Sequence, residues 1–228
     1  MKCRELVVIG NSCIEFGGNN VGTKFANLHI KAIEPRDLEE ALQELSNKAG
    51  TILATEDQDD VVNIIDRYVY RGTKQNIRST KVSYYINQGM KWTSVLNDQF
   101  SWGTVEEVGQ LFSHLVRKPI MTIGFFDEDI FELTLFEEGD IRAKKYFCEE
   151  WAKKEYDLDS ELIDHKYIEE TLELNQIELN KLLEISNPEK AIKELSRMLK
   201  FNLWMHSEWI SNDEEIKQEY IKKDFEIL

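Results

Sequence analysis

Two stretches of this chain, Asp37 to Ile65 and Thr104 to Leu135, carry the same pattern, and a unit used twice narrows the folds open to the sequence. Leu38-Glu39-Glu40-Ala41-Leu42-Gln43 opens the first and Val105-Glu106-Glu107-Val108-Gly109-Gln110 the second, an offset of 67 residues. Downstream, Ile52 and Met121 fall 69 residues apart, each inside an apolar run that leads into an acidic stretch, Asp57-Gln58-Asp59-Asp60 and Asp127-Glu128-Asp129. Stacked solenoids need at least three repeats to bury a continuous core, so two copies point instead to a pseudo-symmetric pair of α+β units.

Local signals give each unit a strand-helix-strand-strand order. Phe25 to Ile33 alternates, with Ala26, Leu28, Ile30 and Ala32 on one face and His29 and Lys31 on the other. Pro35 suits a first helical turn, Leu38, Ala41, Leu42 and Leu45 recur at helical spacing, and Gly50 offers a stop. Ile52 to Thr55 and Val61 to Tyr70 then read as paired strands. In the second unit, Lys81 to Tyr85 and Trp92 to Leu96 read as strands, and Thr104-Val105-Glu106-Glu107 matches a capping box that starts a helix with the apolar stripe Val105, Val108, Phe112 and Leu115. Ile120 to Phe126, Ile130 to Phe136 and Ile141 to Phe147 follow as strands.

From Cys148 the composition turns to helix formers and charge. Ser160 to Leu174, Gln176 to Ile185, Pro188 to Lys200 and Asn212 to Phe225 read as helices, with Asn187 capping the third and Ser211-Asn212-Asp213-Glu214 a capping box for the last. No Pro/Gly/Ser-rich linker separates this segment, so the expectation is an α+β fold: a mainly antiparallel sheet built by units 25–70 and 81–147 within residues 1–148. Residues 149–228 then form a helical appendage docked on the sheet, anchored by Leu195, Leu199 and Trp204.

The net charge is −15, and residues 149–228 hold −10 of it, with 21 acidic and 11 basic side chains. Such a balance repels phosphate backbones and argues against nucleic acid, while leaving basic protein partners open. Cys3, Cys13 and Cys148 are odd in number and form no CxxC, which fits reduced thiols and a cytoplasmic chain. The apolar run Leu6 to Ile9 is too short for a signal-peptide core, and no 18-residue apolar segment offers a membrane span.

Chemistry-bearing motifs are sparse. There is no GxSxG, GxxxxGK[ST] or GxGxxG, the four histidines form no metal-binding spacing, and no cofactor is expected. Asp57, Asp59 and Asp60, with Asp127 and Asp129, are hard oxygen ligands of the kind that hold Mg²⁺ or Ca²⁺, but neither turn has the glycine and distal glutamate of an EF-hand, and aspartate is a common turn former in its own right. The loop Asp98-Gln99-Phe100-Ser101-Trp102-Gly103 places two large aromatics where they either anchor a partner or fold back as a lid on the sheet.

The helix, the Pro-Ile-Met-Thr-Ile strand, the Phe-Phe-Asp-Glu-Asp-Ile turn and the Glu-Leu-Thr-Leu-Phe-Glu-Glu-Gly strand end resemble a loose group of uncharacterised bacterial proteins, over residues 92–145 with a fainter echo in 25–70. That resemblance implies no activity and carries no catalytic residue. In acidic balance the chain is also similar to the small immunity proteins of bacterial toxin systems. The expected function is therefore non-enzymatic binding of a basic protein, with Phe100, Trp102, Glu214, Glu215 and Glu219 as contact residues. The alternative is a divalent-metal-dependent hydrolase built on the two acidic turns.

Overall fold

A computed structural model describes residues 6–9, 12–15, 23–54 and 81–227, with side chains from residues 23–47 and 81–227. Its centre is a seven-stranded antiparallel sheet built from β3 (Lys24–Lys31), β4 (Lys81–Gln88), β5 (Trp92–Leu96), β6 (Ile120–Phe126), β7 (Ile130–Glu137), β8 (Asp140–Phe147) and β9 (Ile221–Glu226). Across the sheet they run β8-β7-β6-β3-β5-β4-β9. A separate hairpin pairs β1 (Leu6–Ile9) with β2 (Ser12–Glu15). The α+β, mainly antiparallel class expected from the sequence is what the chain adopts.

Each face of the sheet has its own core, because strand side chains alternate between the two sides. One face carries Leu28, Ile30, Ile86, Val95, Ile120 and Phe136, covered by α1 (Pro35–Ala54) and α2 (Val105–Val116) through Leu38, Ala41, Leu42, Val108 and Phe112. The other carries Phe25, Met121, Ile123, Phe125, Phe131, Leu133 and Leu135. After the short α3 (Glu150–Glu155), this face is covered by α4 (His165–Leu172), α5 (Gln176–Leu183) and α6 (Pro188–Leu199), with Leu195 fully buried, Trp204 nearly so and Leu199 packed at the margin. Burial on both sides makes β3, the middle strand, buried at every position from Phe25 to Ile30.

Short contacts set how tightly the layers approach. Gly109 lets α2 sit directly on β6 and β7, since a Cβ there would meet the Thr122 methyl and stand 2.8 Å from the Phe136 ring. On the opposite face, Lys31 reaches the carbonyls of Glu170 and Thr171 at 3.2 and 2.6 Å, supplying donors to the open C-terminal end of α4, and pairs with Glu173 at 3.2 Å. Asn187 accepts from the Lys190 backbone with Pro188 at the first helical position, as its sequence predicts. A full capping box joins Asn175 and Glu178 at the start of α5.

Several sequence expectations are corrected. Ile52 to Ala54 belong to α1, which runs through Gly50, so no strand begins there; the Val61 to Tyr70 strand lies outside the described residues. The strand-helix step recurs, β3 into α1 and β5 into α2, both helices on one face, but the strand-strand half of the first unit has no described counterpart. Ala32 leaves β3 in a left-handed turn at φ 47°. Thr104 precedes α2 without a side-chain cap, because its hydroxyl is engaged by Ser101. Asn212 to Phe225 is not one helix: α7 (Ser207–Asn212) ends, Asp213 caps α8 (Glu214–Glu219) in place of Ser211, and β9 follows. The alternating stretch Ile221 to Phe225 buries only Phe225, which packs edge-on to Tyr84 of the neighbouring β4, and pairing along β4 supplies the backbone hydrogen bonds a helix would have made internally.

Candidate functional site

A dense group of charged side chains lies on the α1/α2 side of the sheet, where β6, β7 and β8 run beneath the start of α2. Strand register places Gly124, Glu132 and Tyr146 abreast, and one step along places Thr122, Thr134 and Lys144 abreast. Glu106, in the first turn of α2, reaches down so that its Oε2 is 2.5 Å from Lys144 Nζ. Lys144 is also 3.1 Å from Asp159 Oδ2 and 3.9 Å from Glu132 Oε1. The Thr134 hydroxyl lies 3.4 Å from Glu132 and 3.5 Å from Glu106, and the Tyr146 hydroxyl donates to Asp159.

Glu132 and Lys144 are only 5% and 6% exposed, which is rare for charged residues unless they are paired. Burial, reinforced by the hydrogen bond with Glu106, pushes the Glu132 carboxyl up to about 8, so it carries a proton at neutral pH. Burial opposes the charge on Lys144, but the Glu106 carboxylate outweighs it and holds the ammonium above its usual range, so Lys144 stays charged. The arrangement is thus an ammonium facing one buried acid in its neutral form and two carboxylates. It can store a proton and lock α2 to β7 and β8.

A second polar chain runs through the opposite face. Asn27 Nδ2 donates to the carbonyls of Leu203 and Met205 at 3.1 and 3.0 Å, which turns Oδ1 toward His29 Nε2 at 3.0 Å. That ring nitrogen therefore carries the proton, and Nδ1 accepts from the Ser94 hydroxyl at 2.9 Å. His29 is fully buried, and burial lowers its pKa to about 3. The three side chains have a nucleophile-base-orienter order, yet each lies at 5% exposure or less beneath the 203–205 segment, so the chain ties layers together.

The residues singled out in the sequence fall in different places. Phe100 is half-buried on the α1/α2 side against Tyr84, whereas α8, with Glu214, Glu215 and Glu219 exposed, packs by Ile216 on Leu96 and Met205 of the other face. The aromatic loop and the acidic helix are therefore not one patch. Trp102 instead meets the acidic turn: it packs on Phe126, next to Asp127, and on Tyr156, whose hydroxyl donates to Asp129 at 2.9 Å. Asp127 pairs with Lys24 at 3.2 Å. Asp57, Asp59 and Asp60 lie outside the described residues. Among the described residues no three His, Cys, Asp or Glu side chains are grouped to hold a metal ion, and no helix is long and apolar enough to cross a membrane. Cys148 is buried and unpaired, its thiol pushed up by burial.

Sequence reading missed Glu132, Lys144, Tyr146 and Asp159. The available signal was a carboxylate at the middle of Ile-Phe-Glu-Leu-Thr-Leu-Phe, in phase with Ile130 and Phe136 and so aimed at a buried face. No protein-family model, curated protein or solved structure matches this chain.

Proposed function

We propose that this chain is a non-enzymatic cytoplasmic protein, immunity-like in its mode of action, that binds a basic protein partner through its acidic surface. The observation that carries the reading is α8. Of its six residues only Ile216 is buried; Glu214, Glu215 and Glu219 all face solvent, and Lys217, which pairs with Glu214 at 3.0 Å, is its one base. Glu215 and Glu219 make no ion pair among the described residues, and the exposed acid Glu208 lies on the preceding helix. Unpaired carboxylates at this density contribute little to folding but raise the local concentration of a cationic surface and speed its encounter.

The reading is tested by the association rate of the partner isolated from the source cell. Replacing Glu214, Glu215 and Glu219 together with Gln slows association and flattens its salt dependence, since exposed charges act over about 8 Å at physiological ionic strength. Binding that ignores both salt and the triple substitution would leave the acidity as a solubility device.

A further inference from the structure

At the far end of β6 the chain already holds one ammonium group on an aromatic surface. Trp102 lies over Gly124, where a Cβ would stand 2.8 Å from its ring, with ring centroids 4.7 Å from Phe126 and 6.0 Å from Tyr156. Phe126 and Tyr156 meet edge to face at 5.5 Å, and the three rings are half-buried, so the cluster reaches the surface. Lys24 places its Nζ 4.1 Å from the Phe126 centroid and 3.2 Å from Asp127 Oδ2. An aromatic face and a carboxylate on the same cation is the combination that recognises ammonium and guanidinium groups.

Lys24 is held there loosely. Its side chain is 52% exposed, and both the ion pair and the ring contact are weak in water but gain strength when a partner excludes solvent. Glu128 and Asp129 flank the position, Glu128 exposed and accepting from the Thr23 hydroxyl at 3.3 Å, Asp129 accepting from the Tyr156 hydroxyl. A second cation arriving within a protein surface would meet the same ring and carboxylates with less competition from water.

We propose that this corner is the contact point for a lysine or arginine side chain of the basic partner, which displaces Lys24 from Phe126 and Asp127, with Trp102 and Tyr156 holding the ring in place. The inference rests on the partner-binding reading above and names the group that the partner presents. Lys24 acts as an intramolecular placeholder, keeping the ring and carboxylate covered until that group arrives.

The probe is the peptide hexalysine, titrated by calorimetry at low ionic strength. Lys24→Met keeps the aliphatic stem and removes the competing ammonium, so it tightens binding by about fivefold, the factor expected for losing one weak cation contact. Asp127→Asn, a half-exposed position whose change leaves the core intact, weakens binding by a similar factor. Gly124→Ala, which pushes Trp102 off its seat, weakens it without altering charge, and circular dichroism checks that this variant remains folded. Hexalysine affinity that is unmoved by Lys24→Met and Asp127→Asn, but lost in the triple glutamine variant of α8, overturns this inference and leaves the acidic-surface reading standing. Absence of hexalysine binding to the unaltered protein overturns both.

Discussion

Glu132→Gln separates the energetic cost of the buried acid from the packing around it. In the folded chain the carboxyl titrates near 8, against an ordinary value of 4.5. Between those limits the unfolded chain has lost this proton and the folded chain has kept it, so folding binds a proton and stability falls as pH rises through the window. One pKa unit corresponds to about 1.4 kcal/mol, which makes the cost about 3 kcal/mol at pH 7 and about 5 kcal/mol from pH 8 upward, with nothing lost below pH 4.5.

Glutamine retains a donor for Glu106 and an acceptor for the Thr134 hydroxyl while removing the titration. The variant should therefore match the unaltered protein near pH 4.5, exceed it by about 3 kcal/mol at pH 7, and lack its downward slope between pH 5 and 8. Urea unfolding at half-unit pH intervals measures this, and parallel pH profiles for the two proteins would refute the reasoning. So would a variant less stable at neutral pH, which would mean that Glu132 is ionised and is needed by Lys144 as a buried counter-charge.

Three further outcomes follow from packing and from the second polar chain. Gly109→Ala inserts a Cβ against Thr122 and Phe136 and should cost about 1–3 kcal/mol, read by urea unfolding; a neutral result would show that α2 can shift outward freely. His29, whose folded pKa is depressed to about 3, supplies stability that is complete above pH 6.5 and is lost as pH falls toward 3, about 2 kcal/mol by pH 5; His29→Gln should remove that acid limb. Ending the chain after Tyr220 strips β9 from β4 and uncovers Tyr84, so the shortened protein should lose thermal stability and self-associate, visible by light scattering.

The sequence shows most of the fold wherever a local period is strong. The apolar runs Ile120 to Phe126 and Ile130 to Phe136 mark β6 and β7 because both faces of each strand are buried, and Pro188 after Asn187 marks α6 through backbone chemistry alone. It fails where a distant element decides. Ile221 to Glu226 contains two lysines, an aspartate and a glutamate, a composition equally at home on an exposed helix; only the open edge of β4 makes it a strand. Thr104 and Glu107 have the spacing of a capping box, but Ser101 captures the threonine hydroxyl first. The convergence of Trp102 with Asp127 to Asp129 depends on the loop before α2 crossing the end of β6, and no local pattern encodes that crossing.

The C-terminal segment is bound into the sheet by more than its apolar anchors. Hydrophobic contact at Leu195 and Trp204 is non-directional and would tolerate sliding of one layer over the other. Asn27 removes that freedom, because its amide accepts only one alignment of the Leu203 and Met205 carbonyls and is itself fixed by His29 and Ser94. At the margin, Lys31 fixes the end of α4, and β9 closes the far edge of the sheet. These directional contacts place α8 after a segment registered at two points, so its glutamates are presented on a defined surface. Asn27→Leu separates the two contributions: it keeps the side-chain volume and the Leu203 carbonyl still accepts from the Met205 N–H, but the Met205 carbonyl and His29 Nε2 lose their partner, costing about 1–3 kcal/mol for each buried group left unsatisfied. Hydrogen exchange should then rise first in α7, α8 and β9 while α1 and α2 keep their protection. Uniform loss of protection across all elements would instead show that the two faces of the sheet unfold as one unit.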